Sequence, residues 1–247
     1  MNRAVFVTGG SRGLGLEIAR AHRRRGDRVA LLARGRAALD AAVDALGDPP
    51  AATFVADVRD VDAVRAALRA FAASAGPIGR LYANAGKIDA PGGDRGFDRE
   101  AFDTNLYGVV HAVEGWLATS PPTGSAVGVI SSFSAFRGLP HLPAYGASKA
   151  AVTIYAESLR GRLRPAGITV TTAFLGYLDS ELASGAKPGF LTTPCARAAE
   201  IVTGAVERGR TRVAYPPLVR AMVFATRLLP DAIYDRLVAG RYRKASS

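Results

Sequence analysis

The stretch Ala4-Val5-Phe6-Val7-Thr8-Gly9-Gly10-Ser11-Arg12-Gly13-Leu14-Gly15 decides how this chain folds. A short apolar run, rich in valine, ends in a glycine turn, and residues 14–25 then continue with helical spacing. Strand, glycine turn and helix in that order predict the first βα junction of a parallel sheet. Glycines let the backbone turn tightly and approach a pyrophosphate, whose charge meets N–H groups at the helix N-terminus. Glycines also make ordinary βα turns, so the place of the turn at the first junction matters as much as its composition. Thr8, Gly9, Ser11, Arg12, Gly13, Leu14 and Gly15 are the candidate cofactor residues of this loop.

Downstream, short apolar runs at 28–32, 52–55, 81–82, 126–131, 168–173 and 212–214 alternate with alanine-rich helical segments at 14–25, 36–46, 61–74, 99–117, 144–164 and 195–208. That rhythm predicts an α/β protein, a Rossmann-type doubly wound parallel sheet of about seven strands with helices on both faces. The 247 residues contain no repeat and no linker long enough to divide them, which predicts one domain with residues 215–247 as its C-terminal helical extension. Loops 87–98 and 176–194 are long enough to border a site.

The end of the second strand normally selects the dinucleotide, because an acid there binds the ribose hydroxyls of NAD and repels a 2′-phosphate. Here the strand ends Leu32-Ala33-Arg34, so Arg34 together with Arg12 predicts a clamp for the extra phosphate of NADP(H). Asp57-Val58 and Asn84-Ala85-Gly86 stand at the C-terminal ends of the third and fourth strands, where ligands bind in open α/β sheets. Asp57 is placed to accept from an adenine amino group. Asn84 reads equally as a ligand contact or as a turn residue that holds neighbouring backbone.

Ser132 closes the fifth strand, and Tyr145 and Lys149 follow at a spacing that puts both on one helix face. A phenol ionises near pH 10, too high for neutral proton transfer, but a nearby ammonium favours the phenolate. Tyr145 is therefore a candidate proton donor in reduction and acceptor in oxidation. Ser132 is a candidate hydrogen-bond donor to the substrate oxygen as charge gathers there.

With these residues in place, the chain resembles the short-chain dehydrogenase/reductase family from Arg3 to about Ala214. The family's Thr-Gly-x-x-x-Gly-x-Gly loop matches Thr8, Gly9, Gly13 and Gly15; its adenine-site aspartate matches Asp57, and its Asn-Ala-Gly element matches Asn84 to Gly86. Its catalytic Asn, Ser, Tyr and Lys match Asn105, Ser132, Tyr145 and Lys149. The resemblance implies that Lys149 also binds the nicotinamide ribose and that Asn105 holds a water in a proton relay. It also implies a homo-oligomer built through the helices at 99–117 and 144–164. Where the family has Pro-Gly-x-x-x-Thr, this chain has Leu175-Gly176-Tyr177-Leu178-Asp179-Ser180, so Gly176 is the matching cofactor position without its proline.

The resulting expectation is an NADP(H)-dependent carbonyl reductase or alcohol dehydrogenase acting on a ketone or secondary alcohol, with reduction the favoured direction. Phe133, Phe136, Leu139, His141, Tyr177 and Leu178 predict an apolar or aromatic substrate. Two alternatives remain: a 3-ketoacyl thioester reductase served by an acidic carrier protein, and a non-catalytic NADP-binding sensor or scaffold. The formal charge of +11 motivates the first, although lysine occurs only at Lys87, Lys149, Lys187 and Lys244 and the excess is nearly all arginine. No basic run is interleaved with aromatics, so a nucleic-acid partner is not expected. Cys195 is the only cysteine, which excludes an intrachain disulfide and a thiolate metal cluster. With an apolar N-terminal run too short for a signal peptide, this predicts the cytoplasm. In the tail, Leu218, Met222, Ala225 and Leu229 recur at helical spacing before Pro230. Packing over the pocket or a subunit interface is expected there, in preference to peripheral contact with an anionic membrane.

Overall fold

The computed structural model describes residues 3–88, 98–140, 142–179 and 192–245, with side chains described as far as residue 238. His141 and Ser180 lie outside the described residues. In chain order the elements begin β1 (Ala4–Thr8), α1 (Gly13–Arg23), β2 (Arg28–Ala33), α2 (Arg36–Leu46), β3 (Ala52–Val55), α3 (Val61–Ala75) and β4 (Ile78–Ala83). They continue with α4 (Arg99–Phe102), α5 (Gly108–Leu117), β5 (Ala126–Ser132), α6 (Pro143–Leu163), β6 (Thr169–Leu175), α7 (Cys195–Glu207), β7 (Arg212–Tyr215), α8 (Pro217–Arg227) and α9 (Asp231–Ala245).

The strands form one seven-stranded sheet in the order β3-β2-β1-β4-β5-β6-β7, and each recorded pairing is parallel. The order reverses between β1 and β4, so a crevice opens beyond their C-terminal ends. Side-chain alternation along β1 explains why the run is apolar throughout. Phe6 faces α3, α5 and α6 with Leu68, Phe71, Val113, Trp116 and Leu159; Val5 and Val7 face α1, α2 and α7 with Ile18, Leu39 and Val202. Burying a large apolar side chain contributes about 1.5–3 kcal/mol, so both layers are strongly held. One polar bridge crosses the second layer: buried His22 joins Asp27 at 2.7 Å to the Tyr82 hydroxyl at 2.8 Å.

Three expectations need adjustment. The fourth strand runs six residues instead of two, because β4 is paired on both sides, by β1 and β5, in the middle of the sheet. The helix expected over 99–117 is broken by a π-helical turn, Asp103–Tyr107, between α4 and α5. Such a turn admits an extra residue and re-aims side chains, and here it carries Asn105. Finally, the tail forms two helices, with Pro230, which has no N–H to continue α8, standing before α9.

Candidate active site

The glycine turn is clasped from below by β4. The Thr8 hydroxyl accepts the N–H groups of Asn84 at 3.0 Å and Ala85 at 3.1 Å, and the Asn84 amide donates to the carbonyls of Thr8 at 3.0 Å and Gly9 at 3.1 Å. Asn84 thus serves the turn, one of the two roles left open by its sequence. Gly9 has φ +64, where a side chain is strained, and a Cβ there would stand 2.8 Å from the Ala85 Cα. At Gly15 a Cβ would meet the Gly9 carbonyl at 2.2 Å, so the first turn of α1 lies directly against the loop.

A cleft of about 1030 Å³ runs from this loop across the strand ends to the tail. Ser11, Arg12, Gly13, Leu14 and Gly9 line it, as do Arg34, Asp57, Val58, Asn84, Ala85, Gly86, Ser132, Tyr145, Lys149 and Gly176. Thr8, Gly15 and Asn105 support the wall from behind. These features fit a dinucleotide: an uncapped helix start whose first turn carries no acid, glycines that keep Cβ atoms out of the turn, and a cation beyond the β2 end.

At that β2 end the Arg34 side chain is 66% exposed, 4.0 Å from an Asp57 oxygen and 3.6 Å from one of Glu100. Asp57 itself is held by Arg59, whose Nε and Nη2 reach both carboxylate oxygens at 2.7–3.1 Å. This bond, followed by opposing desolvation, holds the Asp57 carboxyl below its ordinary range. Arg59 escaped the sequence reading because one more arginine in an arginine-rich chain carries little signal; its place two residues after Asp57 was the available clue.

At the opposite end, Lys149 is buried and donates to the Ile130 carbonyl at 2.9 Å, with Nζ 5.8 Å from the centre of the Tyr145 ring. Burial pushes its ammonium down to about 8. The two serines at the end of β5 divide their duties. Both line the cleft, but Ser131 is buried and bonds the Lys149 carbonyl at 3.2 Å and Thr153 at 2.9 Å, pinning α6 to the sheet, while Ser132 is only partly buried. Asn105 is fully buried: Oδ1 accepts from the Lys87 N–H at 2.8 Å, and Nδ2 donates to the Lys87 carbonyl at 2.8 Å and to Ser148 at 3.0 Å. Ser131, Ser148 and Thr153 carried no recognisable motif of their own.

Phe133, Leu139, Tyr177 and Leu178 line the substrate end, joined by Val219, Met222 and Val223 from α8. Phe136, expected there, instead packs at 4.7 Å on Phe174 and 5.8 Å on Phe224, beneath the wall. Gly176 lies at the position of the family's proline-glycine pair and donates its N–H to the Tyr215 carbonyl at 3.0 Å, which fixes it without the proline. Arg137 reaches Asp231 at 2.8 Å and lies 4.2 Å over the Tyr234 ring, so it ties α9 to the loop after β5.

Residues 3–189 match the family described as short chain dehydrogenase. The chain belongs to the short-chain dehydrogenase family. The oxidoreductase is 34% identical over 245 residues to an uncharacterized oxidoreductase of Myxococcus xanthus (strain DK1622), covering 94% of this chain and 95% of that protein. It is 28% identical to the sulfoacetaldehyde reductase of Chromohalobacter salexigens, covering 100% of this chain and 97% of the relative. Among solved structures, an actinorhodin polyketide ketoreductase with NADPH aligns with TM-score 0.79 at 25% identity over 87% of this chain and 95% of that one. A Burkholderia cenocepacia J2315 short chain dehydrogenase in complex with NADP shares the fold with TM-score 0.82 at 24% identity, covering 96% and 98%. Family membership makes this short-chain dehydrogenase an oxidoreductase that uses a nicotinamide cofactor. Among the described residues no helix is long and apolar enough to cross a membrane, and no three His, Cys, Asp or Glu side chains group as metal ligands.

Proposed function

We propose that this short-chain dehydrogenase is an NADP(H)-dependent carbonyl reductase that interconverts an apolar or aromatic ketone and its secondary alcohol. The observation that carries this reading is one continuous cleft with Arg12 and Arg34 at one end and Ser132, Tyr145 and buried Lys149 at the other. Arg34 and Arg12 hold the 2′-phosphate, the glycine turn and the start of α1 hold the pyrophosphate, and Lys149 and Gly176 lie toward the nicotinamide end. When bound, the cofactor supplies or accepts the hydride. The NADPH and NADP bound to the two solved relatives support the choice of dinucleotide.

In reduction, Tyr145 gives its hydroxyl proton to the substrate oxygen, and in oxidation it takes that proton back. Ser132 donates a hydrogen bond to the same oxygen, whose negative charge grows as the carbonyl is reduced. The Lys149 ammonium stabilises the phenolate left on Tyr145 once the proton has moved. Asn105, with its amide engaged on Lys87 and Ser148, keeps the chain beside Gly86 in place; a Cβ at Gly86 would stand 3.1 Å from Asn105 Oδ1 and 3.6 Å from Lys149 Nζ. The apolar residues of the substrate end exclude water and favour a ketone with little charge. A homo-oligomer through α5 and α6 is in keeping with the exposure of Tyr107, just before α5, and of Ile154 on α6.

A panel of apolar and aromatic ketones, small charged aldehydes and 3-ketoacyl thioesters, each offered with NADPH or NADH, tests the proposal by loss of nicotinamide absorbance. Turnover of apolar ketones with NADPH is the expected result. Preference for acyl thioesters would move the substrate to the carrier-bound class, which the polyketide ketoreductase relative supports. Binding of NADPH without turnover of any carbonyl would favour a sensor.

A further inference from the structure

Glu100 lies in the four-residue helix α4, next to the β2 end of the cleft but outside its lining. Its two oxygens are shared among three cations. Oε1 is 3.4 Å from Arg59 Nη1 and 3.6 Å from Arg34 Nη1, while Oε2 is 2.7 Å from Lys87 Nζ. The hydrogen bond from Lys87, with weaker attraction from Arg59 and Arg34, holds the Glu100 carboxyl below its ordinary range.

The two arginines are not equivalent. Arg59 has its Nε and Nη2 closed on Asp57 and offers only Nη1 to Glu100. Among the described residues Arg34 makes only long ion-pair contacts, 3.6 Å to Glu100 and 4.0 Å to Asp57, and it lines the cleft. An exposed cation held at such distances by partly exposed carboxylates is weakly committed, since solvent-screened pairs contribute little. A phosphate with close to two negative charges and bidentate geometry is a stronger partner for a guanidinium.

We propose that Glu100 is the counter-ion that occupies Arg34 and the free edge of Arg59 in the absence of dinucleotide and yields them to a 2′-phosphate, so that it sets how strongly the protein prefers NADPH to NADH. The inference rests on the reading of Arg34 as a 2′-phosphate contact. Glu100 touches no reacting atom and is a specificity-determining residue. Its negative charge opposes an incoming phosphate and competes for the cations that receive it, while a dinucleotide without that phosphate asks for neither. Lys87 keeps Glu100 from leaving: it anchors the carboxylate and is itself fixed through its backbone by Asn105.

The test is a fluorescence titration of the full chain and of Glu100→Gln with NADPH and with NADH, at low and high salt. Glutamine keeps the shape and removes the charge. NADPH is expected to bind Glu100→Gln about threefold to tenfold more tightly, as for the release of one or two exposed ion pairs. NADH affinity should stay within about twofold, and the gain should shrink as salt rises. Glu100→Ala should shift in the same direction. Unchanged or weakened NADPH binding in both variants would overturn the inference and mean that Glu100 positions Arg34. Equal gains for NADPH and NADH would also overturn it. If the parent already binds NADH as tightly as NADPH, the reading of Arg34 itself fails, and that is seen before any variant is made.

Discussion

Replacing Lys149 with methionine isolates the energetic consequence of holding a charge under the cleft floor. The ammonium is buried and donates to the Ile130 carbonyl, and desolvation lowers its ionisation from the ordinary 10.5 to about 8. That difference makes the charged form about 3 kcal/mol less favourable in the folded protein than in the unfolded chain. The folded protein gives up this proton as pH passes about 8, and the unfolded chain only near 10.5. Between those values the unfolded state binds more protons, so the contribution of Lys149 to stability improves as pH rises. Methionine does not titrate, and its thioether fills similar volume. The stability of Lys149→Met minus that of the parent should therefore be constant below about pH 8 and fall by about 3 kcal/mol by pH 10.5. At neutral pH, relief of the buried charge is offset by loss of the hydrogen bond to the Ile130 carbonyl, about 1.5–3 kcal/mol for a charged donor, so the variant should match or exceed the parent while losing turnover. Urea unfolding of both cofactor-free proteins at one concentration, from pH 6 to 10.5, reads this directly. A difference curve flat to within about 0.5 kcal/mol across that range would refute the reasoning, because it would mean that Lys149 does not titrate in that window.

Gly15→Ala places a methyl group 2.2 Å from the Gly9 carbonyl, where the neighbour is backbone, so dinucleotide affinity should fall at least about tenfold and thermal stability should drop; calorimetry with and without NADPH checks both. Arg34→Asp should weaken NADPH binding by about 2 kcal/mol or more and narrow or reverse the preference over NADH, as measured by paired dissociation constants. Deleting residues 218–247 removes Val219, Met222 and Val223 from the wall and should raise the Michaelis constant for an apolar ketone roughly tenfold, with little sedimentation of the parent on anionic vesicles. Strong salt-sensitive sedimentation and an unchanged truncated enzyme would assign the tail to a membrane surface instead.

The sheet was legible because its strands are short apolar runs between turn signals, and a period of two on a doubly covered sheet leaves few alternatives. β4 looked short only because Gly79 and Arg80 interrupt its apolar run, although Arg80 lies within the strand and reaches Glu207 at 3.1 Å. The break inside 99–117 was not legible: the local sequence is helical, and the π turn carries Asn105, whose bonds to Lys87 and Ser148 are tertiary. Within the site, the glycine turn, Ser132, Tyr145 and Lys149 stood out because their spacing is chemical. The sequence left Asn84 divided between a ligand contact and the turn, and the roles of Ser131 and Arg59 were hidden, since these depend on a partner distant in sequence or on one arginine among many. Phe136 was misplaced for a similar reason. Only the approach of Phe174 and Phe224 shows that its ring lies under the pocket wall.

The central claim is that Tyr145 supplies the proton in an NADPH-dependent reduction, and Tyr145→Phe tests it most directly. The substitution removes the hydroxyl and keeps the ring, so NADPH affinity should change little. With a ketone that the parent reduces, the turnover number of Tyr145→Phe should fall by at least about 10², the ordinary contribution of a general acid. Near-normal turnover in a variant that still binds NADPH would contradict the account.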